Sequence, residues 1–405
     1  MKTILIISTL DTKGTETFYL RDKIGQLGKN PLILDISMRL AEGMNADISA
    51  HKVAEAGGSK LEEILISHER AKSTAIMTKG AATLALNMWR EGKLDGIIGM
   101  GGSTGSLMAT DVMRVLPFGV PKVMISSTAA LPGMSTRYIE IGDIALIHSV
   151  IEISGLSDIL KSVIDRGAYA ICGMVDAPTL QTVYAYKKRN VIALTMLGPC
   201  EKCASNVRTS LEGKGYQVIG FSAAGIGDRA MEKMIEQGLF NGVIDLAPGG
   251  VIEHLVGGMR DAGPNRMETA GKVGIPQIIS TSGVNHITPP KSKYTNDHKS
   301  RRKYDLDKFR TWLRASPDEL VKAAHAFAEK LNKSKAPVKV IIPLKGWSSV
   351  DLPNSPTYDP QEDKIFISGL QKELKSGIEL IEIDANMEEP LFAQTIVKES
   401  IGLFT

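Results

Sequence analysis

Cysteine is scarce. Three residues in a chain of 405 cannot make a disulfide framework, which points to a reducing compartment. Charge of one sign is also lacking, since the formal charge of +3 is too small to imply a nucleic-acid face on its own. No apolar run approaches the roughly 20 residues of a membrane span. The opening MKTILIIS meets Asp11 and Lys13 before it is long enough for a secretory leader. A cytoplasmic protein without a membrane partner is therefore expected. The P-loop spacing G-x-x-x-x-G-K-[ST] is also missing, so any phosphate site must be built another way.

What the chain does have is 43% hydrophobic and 23% charged residues, which is ordinary globular usage with material for large cores. Its length suggests about two or three domains. Short apolar runs alternate with helix-length segments, and several runs are apolar at nearly every position. That grammar belongs to a parallel sheet covered by helices on both faces. In the first half it predicts strands over 3–8, 32–36, 74–77, 96–100 and 122–126, with helices over 15–27, 60–72, 81–91, 104–115 and 144–162. In the second half it predicts strands over 168–175, 191–197, 217–221, 242–246, 277–280, 338–343 and 378–383, with helices over 229–237, 317–331 and 390–401. The expected fold class is α/β, with two doubly wound, Rossmann-like parallel-sheet subdomains and a cleft between them. The boundaries are 1–178 for a nucleotide-binding subdomain and 179–405 for a second α/β subdomain, with the crossing within 176–189.

In open α/β sheets, ligands bind beyond the carboxyl ends of the strands. The segments at those positions are rich in small, hydroxyl and cationic residues. They are Thr9 to Gly14, Asp35, Lys79-Gly80-Ala81, Gly101-Gly102-Ser103-Thr104-Gly105-Ser106, and Ser127-Thr128. Glycines let backbone amides approach a phosphate, and a helix N-terminus adds free donors and a favourable dipole. Lys13 and Lys79 would neutralise phosphate charge. Asp35 stands where an acid commonly holds a ribose hydroxyl, and Asp11 would hold a Mg²⁺ ion directly or through water.

The segments TLDTKG (9–14), NADIS (45–49), LDGIIGMGGSTGS (94–106), MISSTAALPG (124–133), APGGVIEHL (247–255), PLKGWSSVDLPNSPTYDP (343–360) and EEPLFA (388–393) together resemble the Tm-1-like ATP-binding family. The resemblance runs along nearly the whole chain. It implies an ATP-binding N-terminal subdomain, a second α/β subdomain and a homodimer. It carries ATP contacts to Asp11, Lys13, Gly101, Gly102 and Ser103 as a group, whereas Asp35, Lys79, Gly80 and Thr128 rest on position alone. Two departures stand out. Thr104 falls where a further glycine is expected and would narrow the phosphate pocket. Asn386-Met387-Glu388-Glu389-Pro390 replaces a histidine-containing run.

Other signals compete. Gly225-x-Gly227-x-x-Ala230 with Asp245 downstream reads as a dinucleotide fingerprint, although a tight turn with a capping Asp228 explains it equally. Cys200-x-x-Cys203 opens a helix like a redox pair, but packed thiols are the plainer reading. The basic stretch 291–303 would suit an anionic substrate, such as a small metabolite, or RNA, although a solvated loop is the plainer reading. Glycine turns in the second half lead into Glu253-His254, Asn285-His286, Ser348 and Asp351. These suggest a second small-molecule site with His254, His286 and Asp351 as acid–base residues. Two readings follow: an ATP-dependent enzyme acting on a small carbonyl or carboxylate compound, or a regulatory or scaffolding dimer that nucleotide stabilises.

Overall fold

The computed structural model describes residues 1–404 apart from residue 42, residues 179–189 and residue 309. Part of the expected crossing at 176–189 lies outside the described residues. The chain divides into two compact units, Met1–Lys187 and Lys188–Thr405.

The first unit holds a five-stranded sheet of β1 (Thr3–Ser8), β2 (Asn30–Asp35), β3 (Gly96–Gly101), β4 (Lys122–Ser126) and β5 (Ala145–His148) in the order β2-β1-β3-β4-β5. Every pairing is parallel; Ile6, for example, stands opposite Ile33 on one side and Ile98 on the other. The run TILIIS of β1 is buried from its second residue onward because helices cover both faces. The chain leaves β1 for β2 on one side and then crosses to β3 on the other. The strand order therefore reverses between β1 and β3, and the loops after these two strands diverge to leave a crevice.

The second unit repeats the plan with β6 (Val191–Met196), β7 (Gln217–Ser222), β8 (Gly242–Asp245), β9 (Gln277–Ile279), β13 (Val338–Pro343) and β14 (Glu379–Ile383), again all parallel, in the order β14-β13-β9-β8-β6-β7. The α/β class with two parallel sheets is as the sequence predicts. A small antiparallel sheet was not expected: β10 (His286–Ile287), β12 (Thr311–Arg314) and β11 (Lys303–Asp305).

Three predicted elements are corrected. Residues 74–77 are not a strand but lie in the helix Arg70–Arg90, where Met77, Ala81 and Ala85 form its buried stripe at helical spacing. Residues 168–175 belong to the helix Asp158–Asp176, which buries Ile164, Ala168, Ile171 and Val175. A short apolar run fits a buried strand and a buried helix face equally, and here the helical period decided. Residues 144–162 are not one helix. They begin with β5, pass through Val150 and Gly155 at positive φ, and re-enter helix only where Ser157 caps Leu160 N.

Candidate functional site

The first unit has a cavity of about 560 Å³ beyond the ends of β1 and β3, at the reversal of strand order. Its lining combines Thr9, Asp11, Thr12 and Lys13 with Gly102, Ser103, Thr104 and Gly105. Across from these stand Met38, Arg39, Ile64, Leu65, Ser67, Arg70 and Ser73.

Two helices begin at this cavity, and their ends differ. The helix Leu10–Gln26 is satisfied from within the protein. Leu10 N donates to the Asp35 carboxylate (3.2 Å), Asp11 N to Ser37 Oγ (3.1 Å), and Thr12 N and Lys13 N to the carbonyl of Thr9 (3.2 and 2.9 Å). The helix Ser103–Val115 starts at Gly102 without a side-chain cap, and Ser106 N is the first amide to reach a carbonyl, that of Gly102 (2.8 Å). The amides of Ser103, Thr104 and Gly105 have no acceptor among the described residues. A helix end with three open donors attracts an anion. Local packing does not explain its glycines either. A Cβ on Gly102 would meet only Ser127 Oγ at 3.8 Å, and one on Gly105 nothing within 4 Å. Gly101 differs, since its Cβ would press to 3.2 Å from the Gly105 backbone.

Lys13 kinks its helix, with φ −130° and ψ 20°, and its ammonium donates to the carbonyl of Ile153 rather than to a carboxylate. Asp11 keeps one buried carboxylate oxygen, Oδ1, without a partner. Arg39 and Arg70, which sequence reasoning missed, make no ion pair or hydrogen bond through their guanidinium groups with the described residues.

The other expected contacts lie elsewhere. Asp35 is buried and turned to Leu10 N and to the amide and hydroxyl of Ser37. Burial raises its pKa, against the lowering effect of those hydrogen bonds. It caps a helix and does not line the cavity. Lys79 and Gly80 do not follow a strand. They fall in the middle of the helix Arg70–Arg90, where a Cβ on Gly80 would collide with the carbonyl of Val53, so this glycine serves helix–helix contact. Thr128 pairs its hydroxyl with Tyr138 Oη (2.6 Å) and Ser126 Oγ (3.2 Å), outside the cavity lining. Among the described residues no group of three metal-ligating side chains gathers. A metal bound through Asp11 would therefore need oxygens from its ligand or from water.

In the second unit, the glycine turns expected to hold a ligand pack against backbone. Gly249 abuts the carbonyl of Gly283, and Gly346, at φ +107°, abuts the carbonyl of Asp351. Asn285 Nδ2 joins Asp351 (2.8 Å) to Asp363 (3.2 Å), and Arg314 holds Asp363 at 2.6 Å. Burial pushes the Asp363 carboxyl up to about 7 despite Arg314, and raises Asp351 against the hydrogen bonds from Trp347 and Asn285. His286 is wholly buried on Thr357 Oγ1 (2.9 Å), and burial, with Arg314 and Arg260 adding to it, holds its pKa well below the ordinary value. His286 and Asp351 thus share one buried region out of solvent's reach. His254 is half-exposed and pairs with Asp261 (2.9 Å). The basic stretch is also largely engaged: Arg301 binds Asp297 and Glu319, and Arg302 binds Asp359 and Glu362.

The dinucleotide-like turn is closed. A Cβ on Gly227 would collide with the carbonyl of Ser222, and Gly225 N is held by Asp228 (2.8 Å). Asp228 and Asp245 in turn clamp the buried Arg266 at 2.9 and 2.7 Å. In the run that replaces the expected histidine, the Glu388 carboxylate caps the helix Glu201–Glu212 through Lys202 N and Cys203 N (3.3 and 3.1 Å). Cys200 and Cys203 are free and fully buried. Burial pushes the Cys200 thiol up to about 12 and Cys203 well above its usual value, the opposite of a redox pair. The native protein is expected to resist thiol-labelling reagents on the timescale in which a denatured sample labels fully. Rapid modification of Cys200 or Cys203 in the native state would overturn this.

Fold and site together define a two-unit parallel α/β protein with a cation-lined crevice at a strand-order reversal. Residues 2–179 match the Uncharacterised protein family (UPF0261) N-terminal domain and residues 189–404 its C-terminal domain, so the chain belongs to the UPF0261 family, as the Tm-1-like resemblance implied. A UPF0261 protein of Clostridium tetani is 32% identical over 406 residues, covering 99% of both chains. The ToMV resistance protein Tm-1(GCR237) of Solanum lycopersicum is 31% identical over 312 residues, which are 76% of this chain and 41% of the tomato protein. Among solved structures, an S. aureus MnaA–UDP complex aligns at 10% identity over 69% of this chain and 79% of that one, with a TM-score of 0.23, too loose a likeness to argue from. Among the described residues, no helix is long and apolar enough to cross a membrane.

Proposed function

We propose that the first unit binds ATP with Mg²⁺ in the crevice between the ends of β1 and β3. The observation that carries this is the open N-terminus of the helix Ser103–Val115, facing a cavity of about 560 Å³. That volume lies in the usual range for small-molecule sites. In this reading the phosphates meet the amides of Ser103, Thr104 and Gly105, with Lys13 beside them. Asp11, whose Oδ1 lacks a partner, helps to hold the Mg²⁺ that arrives with the nucleotide. Met38, Ile64 and Leu65 supply an apolar wall for the base.

The reading is of nucleotide binding. His286 and Asp351, the acid–base candidates of the second unit, are 0% exposed, and nothing in their surroundings favours one reaction over another.

Saturating MgATP is expected to raise the melting temperature of the wild-type protein, since a ligand present at 100 times its dissociation constant adds about 2.7 kcal/mol to native stability. Lys13→Ala is expected to lower affinity by roughly tenfold, as befits one charge-assisted contact, and to cost the free protein only about 1–2 kcal/mol through the lost contact to the Ile153 carbonyl. No thermal shift with millimolar MgATP would remove the proposal.

A further inference from the structure

We propose that Arg39 and Arg70 make this crevice select by phosphate number, gripping the outer phosphates of a polyphosphate that the open helix end alone would not distinguish from a monophosphate. The inference rests on the nucleotide reading above and adds two residues and a specificity to it.

The first ground is that two guanidinium groups without an ion-pair partner among the described residues line the same cavity. Arg260, Arg266, Arg301 and Arg314 are each tied to carboxylates. Arg39 and Arg70 line the cavity and have no such partner among the described residues. Guanidinium suits phosphate because its donors form a planar fork matching two oxygens at once.

The second ground is where Arg70 stands. It is the first residue of the helix Arg70–Arg90, whose first turn contains no acid. A cation at that end opposes the helix dipole. Glu69, just before it, turns its carboxylate to Lys72 (3.3 Å) and does not cap the helix. Arg70 and Ser73 place this second helix start, which has no side-chain cap, on the cavity wall, so an anion there would find open donors.

The third ground is the charge balance. Among the described residues the lining carries three cations, Lys13, Arg39 and Arg70, against one acid, Asp11. A triphosphate with its Mg²⁺ keeps about two negative charges and would offset that excess. A monophosphate on the open helix end and Lys13 would leave the two arginines unmatched. Both are exposed side chains outside the sheet, so their removal should not disturb the fold.

The test titrates MgATP, AMP and inorganic tripolyphosphate by calorimetry into wild type, Arg39→Met and Arg70→Met. Wild type is expected to prefer MgATP over AMP by about 100-fold, with tripolyphosphate displacing ATP. Each variant should lose about 10- to 100-fold for MgATP and tripolyphosphate, as for a charge-assisted contact, while AMP affinity moves less than about threefold. Melting temperatures of the free variants should be unchanged or, for Arg70→Met, slightly raised. If wild type binds MgATP but both variants bind it equally well, this inference fails and the nucleotide reading stands. Equal losses for AMP and MgATP would also overturn it, because the arginines would then serve the nucleoside end. Wild type that binds neither MgATP nor tripolyphosphate sinks both.

Discussion

Gly102→Val is expected to abolish measurable ATP binding, a loss of 100-fold or more, while native stability falls by no more than about 1 kcal/mol. The backbone at Gly102, with φ −81° and ψ −160°, is extended and suits a β-branched residue. A Cβ there meets only Ser127 Oγ at 3.8 Å, so the free protein has room for it. The remaining cost is a poorer N-cap, on the order of 1 kcal/mol. The new methyl groups would narrow the approach to the amides of Ser103, Thr104 and Gly105, where the proposed site takes the phosphates. Gly80→Val makes the contrast. Its Cβ runs into the Val53 carbonyl, so it should destabilise the first unit through helix packing. Calorimetry and thermal melts on the two variants separate a glycine kept open for a ligand from one kept for packing. Retained affinity in Gly102→Val would falsify the placement of the phosphates.

Arg266→Met is expected to be the most damaging single change in the second unit, costing about 3–5 kcal/mol. Arg266 is 1% exposed and binds Asp228, Glu232 and Asp245 at 2.9, 3.2 and 2.7 Å. Burial alone would lower its pKa, but Asp245, Asp228 and Glu232 outweigh that and raise it. Removing the cation leaves carboxylates facing one another out of water, and Asp228, already raised by burial, would take up a proton. Adding Asp228→Asn to Arg266→Met should therefore recover part of the loss. Urea unfolding that showed a loss below about 1 kcal/mol, or no recovery in the double variant, would contradict this account.

The strands buried on both faces were the most legible part of the fold. The runs at 3–8, 122–126 and 338–343 are read with their observed limits, because continuous apolar sequence between turn residues has few other uses in an α/β chain. The same logic failed at 74–77 and 168–175, where four to eight apolar residues are one side of a longer helix. The antiparallel sheet was invisible because its strands have two to four residues and lie in a charge-rich stretch.

For the site, Asp11, Lys13 and Gly101 to Thr104 could be found because they directly follow strands. Asp35 ends the second strand, yet the sequence could not show that its carboxylate reaches back to Leu10 N. Arg39 follows the second strand and was passed over in favour of Asp35, whereas Arg70 carried no positional signal, since only folding brings its segment to the ends of β1 and β3. The one hint was a helix beginning Arg-Ala-Lys without an acid.

Unpaired positive charge around a concave site has a kinetic side. The chain as a whole is nearly neutral, at +3, so its net charge adds little pull on anions over a distance. Lys13, Arg39 and Arg70 concentrate their field at one mouth, where low-dielectric walls focus it outward. A polyphosphate diffusing nearby would be steered toward the open helix end before touching it, and added salt would slow capture more than release, because screening acts on the approach. The crevice would thus take up its ligand fastest in dilute buffer.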